Sequence, residues 1–254
     1  DMNLHLKVYG SGEPLIILHG LLGSSDNWQT LAKEYAQHFT VFIIDQRNHG
    51  KSAHTEAFSY DLLVQDLLAF CEQQHIYKTH LLGHSMGGKV AMQFALENPD
   101  FVDKLIIADI APVEYEPGHN EIFEGLFKIN LNVISSRKEV DTLLAQTIKN
   151  FSVRQFLMKG LTRGEKNEFE WKFNLTSLWK NYDDLLGTFK SDEIFSGETL
   201  FINGGKSSYV LPEHQAIIDR YFPANKRETI LNAGHWIHAE QAEEFYAKTL
   251  QFLN

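Results

Sequence analysis

Six short apolar runs punctuate this chain, at residues 15–18, 41–44, 81–82, 105–108, 200–202 and 229–231. They are too short for helices and mostly continuous, the pattern of strands buried on both faces of a sheet. Residues 4–8, Leu4-His5-Leu6-Lys7-Val8, alternate instead, which suits an edge strand with one wet face. Between the runs the apolar spacing changes to three and four. One stripe is Trp28, Leu31, Ala32 and Tyr35; a second is Tyr60, Leu63, Val64, Leu67, Leu68 and Cys71; a third is Ala242, Phe245, Tyr246, Thr249, Leu250 and Leu253. Each is the face of a helix laid on a sheet. Such alternation demands right-handed crossovers and a mostly parallel sheet with helices on both faces, an α/β fold.

From about Val113 to Lys190 the alternation stops. The spacing there is helical or irregular: Phe123, Leu126, Phe127 and Asn130; Val140, Leu143 and Leu144; Leu175, Leu178, Trp179 and Tyr182. The expected organisation is an α/β core of residues 1–112 and 191–254 carrying a helical cap, or lid, of residues 113–190, entered through Pro112 and Pro117.

Composition closes off several function classes. The excess of 33 Asp and Glu over 23 Lys and Arg argues against a nucleic-acid footprint or an anionic-membrane surface. The lone Cys71 permits no internal disulfide, and its place on an apolar stripe reads as core. No run of 18 apolar residues exists, so no membrane span is expected. Asp1-Met2-Asn3-Leu4-His5-Leu6 lacks a basic region followed by an apolar core, so a cytoplasmic protein is expected. Gly50-Lys51-Ser52 ends like a phosphate-binding loop, but Asp45 stands where that motif needs its first glycine. His235 and His238 have metal-ligand spacing without the glutamate of the zinc-protease motif, so no metal site is expected.

Chemistry concentrates at Gly83-His84-Ser85-Met86-Gly87, a Gly-x-Ser-x-Gly segment with an apolar strand directly before it and a helical run directly after. A strand that turns into a helix within one residue strains the serine, and side chains two positions away on either side would collide. The turn holds the hydroxyl above the sheet edge, at the positive end of the following helix. A serine needs a base to take its proton. His235, in Asn232-Ala233-Gly234-His235-Trp236 between the last strand and the last helix, reaches the same edge. An oxyanion formed there needs N–H donors, and the backbone N–H groups of Met86 and of Leu21, in the loop His19-Gly20-Leu21-Leu22-Gly23, are the candidates. His19 is expected to orient that loop. Two acids, Asp45 and Asp109, stand at strand ends as candidates for the third member.

With Gly-His-Ser-Met-Gly-Gly, His-Gly-Leu-Leu-Gly, Asp45-Gln46-Arg47-Asn48-His49-Gly50-Lys51-Ser52 and the late Gly-His-Trp, the chain resembles the α/β-hydrolases. More narrowly it resembles the YbfF-type bacterial esterases, through Asp-x-Arg-Asn-His-Gly-x-Ser, Asp109-Ile110-Ala111-Pro112-Val113-Glu114-Tyr115 and Asn203-Gly204-Gly205-Lys206-Ser207-Ser208-Tyr209-Val210. The resemblance implies a lid, hydrolysis of carboxylic esters without cofactor and, in some relatives, of acyl thioesters. It assigns the acid to Asp109. Most α/β-hydrolases carry the acid after the penultimate strand, where this chain has Ser207 and no carboxylate between Glu198 and Glu213. Ser207 is placed to add a hydrogen bond to the Asp109–His235 pair.

The expected activity is therefore that of a serine carboxylesterase on a small-molecule ester or acyl substrate, with Phe123, Phe127 and Trp179 as candidate substrate-pocket residues. Whether the chain is a monomer or a weak dimer stays open. So do a cofactor-free perhydrolase, a C–C bond hydrolase, and a slow-turnover ligand-binding receptor on the same fold.

Overall fold

The structure, a computed structural model, describes residues 2–254; Asp1 of the N-terminal stretch lies outside them. Among the described residues the strands are β1 Leu6–Tyr9, β2 Pro14–Leu18, β3 Thr40–Ile44, β4 Thr79–His84, β5 Val102–Ala108, β6 Leu161–Arg163, β7 Phe169–Trp171, β8 Thr199–Gly204 and β9 Asn225–Ile230. Seven of them form one sheet in the order β1-β3-β2-β4-β5-β8-β9. Only β1, at the edge, runs antiparallel to its neighbour. This is the α/β arrangement that the apolar runs imply. Every residue of β4 and β8 is buried, as for strands covered on both faces.

The helices outside the insertion are α1 Gln29–Tyr35, α2 Tyr60–Gln73 and α3 Met86–Glu97. Between β5 and β8 come α4 Asn120–Phe127, α5 Arg137–Leu144, α6 Phe151–Met158, α7 Leu175–Lys180 and α8 Tyr182–Leu186. After β8 come α9 Gln215–Tyr221, α10 Ile237–Glu240 and α11 Ala242–Leu253. The strand period of two sorts the core into halves. Leu15 and Ile17 of β2 pack with Leu31 and Tyr35 of α1 and Phe245 of α11. Ile16 and Leu18 belong to the opposite cluster, with Leu63 and Leu67 of α2 and Val90 and Phe94 of α3. That second cluster runs on without a break into Phe123, Leu126, Val140 and Leu144 of the insertion.

Two features escape the apolar patterning. The insertion contains a hairpin, β6 paired antiparallel with β7, whose three-residue strands include Arg163 and Glu170 and are too short to show a period. And β9 starts at Asn225, four residues before the run at 229–231, through Lys226, Arg227 and Glu228. It pairs with β8 alone, so an edge strand needs no continuous apolar run there.

The junction of β4 and α3 is the tightest point of this sheet edge. A Cβ on Gly83 would lie 2.2 Å from the Gly87 carbonyl oxygen, and one on Gly87 would lie 2.4 Å from that of Leu18. These are backbone atoms of α3 and β2, so nothing can give way cheaply. Gly87→Ala is therefore expected to cost about 2–3 kcal/mol and to lower Tm by roughly 5–10 °C. Gly118→Ala, whose nearest neighbour would be Tyr209 Oη at 3.5 Å, serves as the control and should shift Tm by under about 2 °C. Equal melting curves for the two variants would contradict the close approach at the junction.

Candidate active site

Ser85 is the one residue between β4 and α3, with φ 54° and ψ −119°. That conformation costs a non-glycine residue about 1–3 kcal/mol and survives only where the surroundings enforce it. Here the Ser85 N–H donates to Ala108 O at 3.0 Å, and Ser85 O accepts from the N–H groups of Gly88 and Lys89. The side chain is turned away from the helix: Ser85 caps none of the N–H groups of α3. Its Oγ lies 2.9 Å from His235 Nε2, and His235 Nδ1 lies 2.6 Å from Asp109 Oδ2.

Asp109 leaves the end of β5 with a positive φ of 53°, a conformation aspartate tolerates better than most residues. Its N–H donates to Ile202 O of the neighbouring β8 at 2.8 Å. The carboxylate is fully buried, and every bond to it is a donor's: Gly204 N–H to Oδ1 at 3.1 Å, Ser207 O–H to Oδ2 at 2.5 Å and His235 to Oδ2. A carboxylate oxygen accepts, so His235 Nδ1 is placed to donate to Asp109 and Nε2 to accept from the Ser85 hydroxyl. Asp45 is elsewhere. Its two oxygens accept the N–H groups of Ser25 and Lys51, and its carbonyl accepts from Ser52 Oγ, which ties down the loop after β3.

The loop after β2 comes against the serine because Gly20 has no side chain: a Cβ there would lie 3.3 Å from Ser85 Cβ. Leu21 N–H and Met86 N–H, the latter at the start of α3, find no protein acceptor among the described residues. Two buried histidines hold this loop. His19 Nε2 accepts Gln46 N–H at 2.9 Å, so its proton is on Nδ1 and goes to Gly20 O at 2.8 Å. His49 Nε2 accepts Leu22 N–H at 3.0 Å, and Nδ1 donates to Arg47 O. Burial lowers both below the ordinary imidazole range, His49 well below. Both are thereby kept neutral, as acceptors must be. The orienting role expected of His19 fits this geometry; nothing in the sequence singles out His49 for the same task.

Further residues that the sequence does not reveal surround His235. His84 Nε2 donates to His235 O at 2.8 Å, and desolvation pushes the His84 ring well below its usual value. The Tyr209 ring stacks on His235 with centroids 4.0 Å apart and planes 21° from parallel. His238 stacks in turn on Trp28, and burial brings it down to about 3. None of these forms a motif, because their partners are distant in sequence; His84 and His235 are 151 residues apart.

Phe123, Phe127 and Trp179 do not reach the site. Phe123 is buried against Trp179 and Tyr182, both 5.1 Å away, while Phe127 and Trp179 are about half exposed. The helical stripe they form packs within the insertion. The cavities that contain Ser85 are lined from the insertion and its approaches by Tyr115, His119, Phe156 and Tyr182. A cavity of about 810 Å³, far larger than those at Ser85, lies away from it, between Asp45, Lys51 and the β6–β7 hairpin. Size does not single out the cavities at Ser85; the hydrogen-bonded Ser85, His235 and Asp109 do.

A family model described as alpha/beta hydrolase fold matches residues 13–242. Esterase YbfF of Escherichia coli is 33% identical over 245 residues, 96% of this chain and 94% of that protein. The sn-1-specific diacylglycerol lipase ABHD11 of Mus musculus is 38% identical over 247 residues, 94% of this chain and 80% of the lipase. A solved marine microorganism esterase superposes with a TM-score of 0.97 at 41% identity, covering 99% of this chain and all of that one. The chain belongs to the alpha/beta hydrolase fold family, among its esterases and lipases.

Proposed function

We propose that the chain is a serine carboxylesterase acting on small-molecule esters, and on acyl thioesters of similar shape, through an acyl-enzyme. The observation that carries this reading is the unbroken line of hydrogen bonds from Ser85 Oγ through both His235 nitrogens to Asp109. In the first half-reaction His235 Nε2 takes the Ser85 proton as Oγ attacks the ester carbonyl. The Leu21 and Met86 N–H groups receive the oxyanion, and His235 protonates the leaving alcohol. Water, deprotonated by the same nitrogen, then attacks the acyl-serine, and the proton returns to Ser85 as the acid departs. Asp109 stays ionised throughout and stabilises the imidazolium. Ser207 holds Asp109 and touches no reacting atom. Residues 113–190 are the cap over this site, supplying His119 and Tyr182 to its walls. No step calls on a metal or an organic cofactor.

The test is labelling with a fluorophosphonate followed by peptide mapping, together with turnover of short acyl nitrophenyl esters. Label on Ser85 with steady multiple turnover is expected. One equivalent of nitrophenol followed by a stall would favour a receptor instead. Ser85→Ala should lower kcat by on the order of 10⁴-fold or more with the fold intact. Asp109→Asn should lower it by about 10⁴-fold through the wrong imidazole tautomer, and Asp45→Asn by less than about tenfold. The reverse ranking would transfer the acid role to Asp45.

Acid acts on the scaffold as well. His19, His49, His84 and His238 are buried and held below the ordinary value of 6.5, chiefly by desolvation. The unfolded chain therefore binds more protons than the folded one once the pH drops below about 6.5. Their contribution is fully present above that pH and is lost as the pH falls toward the folded values, about 3 for His238. Each such histidine can remove up to about 1.4 kcal/mol per pH unit in that window. Urea midpoints should fall steeply between pH 6.5 and 5, and His238→Gln should flatten the slope. Midpoints independent of pH over that range would contradict the neutral-histidine arrangement.

A further inference from the structure

Two cavities open from Ser85 in different directions. One, about 10 Å³, is lined by His235, Trp236, His238 and Phe156, and shares the last three with a more apolar cavity of about 220 Å³ beyond it. The other, about 50 Å³, is lined by Met86, Lys89, Tyr115, Tyr182 and Tyr209 and excludes His235. His235 protonates the departing oxygen, so the leaving group lies on the side that His235 lines and the acyl group on the other.

The acyl side contains a cation. Lys89 lies in the first turn of α3, four residues after Ser85, and lines the same cavity. It is only 2% exposed. Its ammonium donates to the carbonyls of Gly187 and, at 3.4 Å, Leu186, and lies 5.0 Å from the Tyr115 ring and 5.7 Å from that of Tyr60. Both acceptors are neutral, so among the described residues one N–H has no acceptor and the ammonium has no carboxylate within ion-pair distance, only the two aromatic faces and the more distant Glu114. Burial brings Lys89 down to about 8, with the field of Glu114 opposing the fall, so it is still charged at neutral pH. The Tyr182 phenol accepts the N–H groups of Gly118 and His119, which leaves its own proton to donate. Glu116 is the one carboxylate in the lining, and it is exposed. A pocket this rich in donors asks for an acceptor.

We infer that this pocket takes a short acyl group ending in a carboxylate, received by Lys89 and the Tyr182 hydroxyl. The inference rests on the esterase reading and narrows it to half-esters of short dicarboxylic acids. Such an acyl chain supplies the missing anion. An alkyl chain of the same size leaves the ammonium desolvated and unpaired. The volume agrees: about 50 Å³ holds roughly three to five water-sized groups, enough for a short acyl tail and little more.

The test compares monomethyl succinate with methyl 4-methylpentanoate, in which an isopropyl group replaces the carboxylate, for the wild type, Lys89→Met and Lys89→Arg. The ratio of kcat/KM for the half-ester to that for its neutral counterpart should fall at least tenfold in Lys89→Met, mostly through KM. Lys89→Arg should keep the larger part of it. A ratio within twofold of wild type in Lys89→Met overturns the inference, and because it is a ratio, a general loss of packing does not mimic it. Monomethyl succinate is also titrated by NMR into Ser85→Ala and Ser85→Ala/Lys89→Met, which requires no turnover. Binding at least tenfold weaker in the double variant supports the inference, and equal or absent binding in both overturns it. Should the wild type cleave neither ester, the esterase reading fails and the titration still decides the role of Lys89.

Discussion

A strand has to become a helix within the single residue Ser85, and the rest of the site depends on how that is done. The positive φ forces Gly83 and Gly87 into contact distances that no side chain could tolerate. The return is positional. Reversal at one residue leaves Met86 N–H as the first orphan donor of α3, beside the serine, with the positive helix end behind it. The strain is held because nearly all of α3 is buried, from Met86 through Leu96, so the helix cannot shift to relax it. The same close packing brings Gly20 against Ser85 Cβ and so fixes the second donor, Leu21 N–H. Ser85 and the two free N–H groups are thus one rigid unit.

Under this unit lies a layer of buried histidines bonded to the backbone. His19 spans Gly20 and Gln46 and His49 spans Leu22 and Arg47 with both ring nitrogens, while His84 holds the carbonyl of His235 with one. A neutral imidazole can be donor and acceptor at once, in a fixed direction, which neither a lysine nor a carboxylate can do. Desolvation keeps these rings neutral, so burial serves the geometry. Among the described residues only His235 has its two nitrogens shared between a carboxylate and a hydroxyl, and that difference in partners sets it apart from its eleven fellow histidines.

What the sequence revealed and what it hid divide along the range of the interactions. The interior strands and the stripes of α1, α2 and α11 are legible because burial imposes a local period. The elbow is legible because its glycines are two residues from the serine. His235 could be read from its place after the last strand. By contrast β9 begins in Asn225-Lys226-Arg227, where an edge position relaxes the demand for apolar residues. Phe123 and Trp179 have a helical spacing that is the same whether they face a substrate or each other, and they face each other. Lys89 reads as an ordinary helical lysine until Leu186 and Gly187, nearly a hundred residues away, are seen to close over it.

The place of Asp109 differs from the one at which most α/β-hydrolases carry their acid, and the sheet shows how the two places are related. Asp109 at the end of β5 and Ser207 after β8 stand side by side because those strands are parallel neighbours, with Ala108 opposite Ile202. From His235 the two positions are nearly equivalent, since the oxygen that meets Nδ1 is the one that Ser207 also holds, 2.5 Å from its hydroxyl. They cannot both be acidic. Two carboxylates at that distance in a buried pocket could not both stay charged and would share a proton. A carboxylate at one strand end is therefore best met by a neutral donor at the other. The Ser207 hydroxyl, in the place where most of the fold's members carry their carboxylate, is such a donor to Asp109.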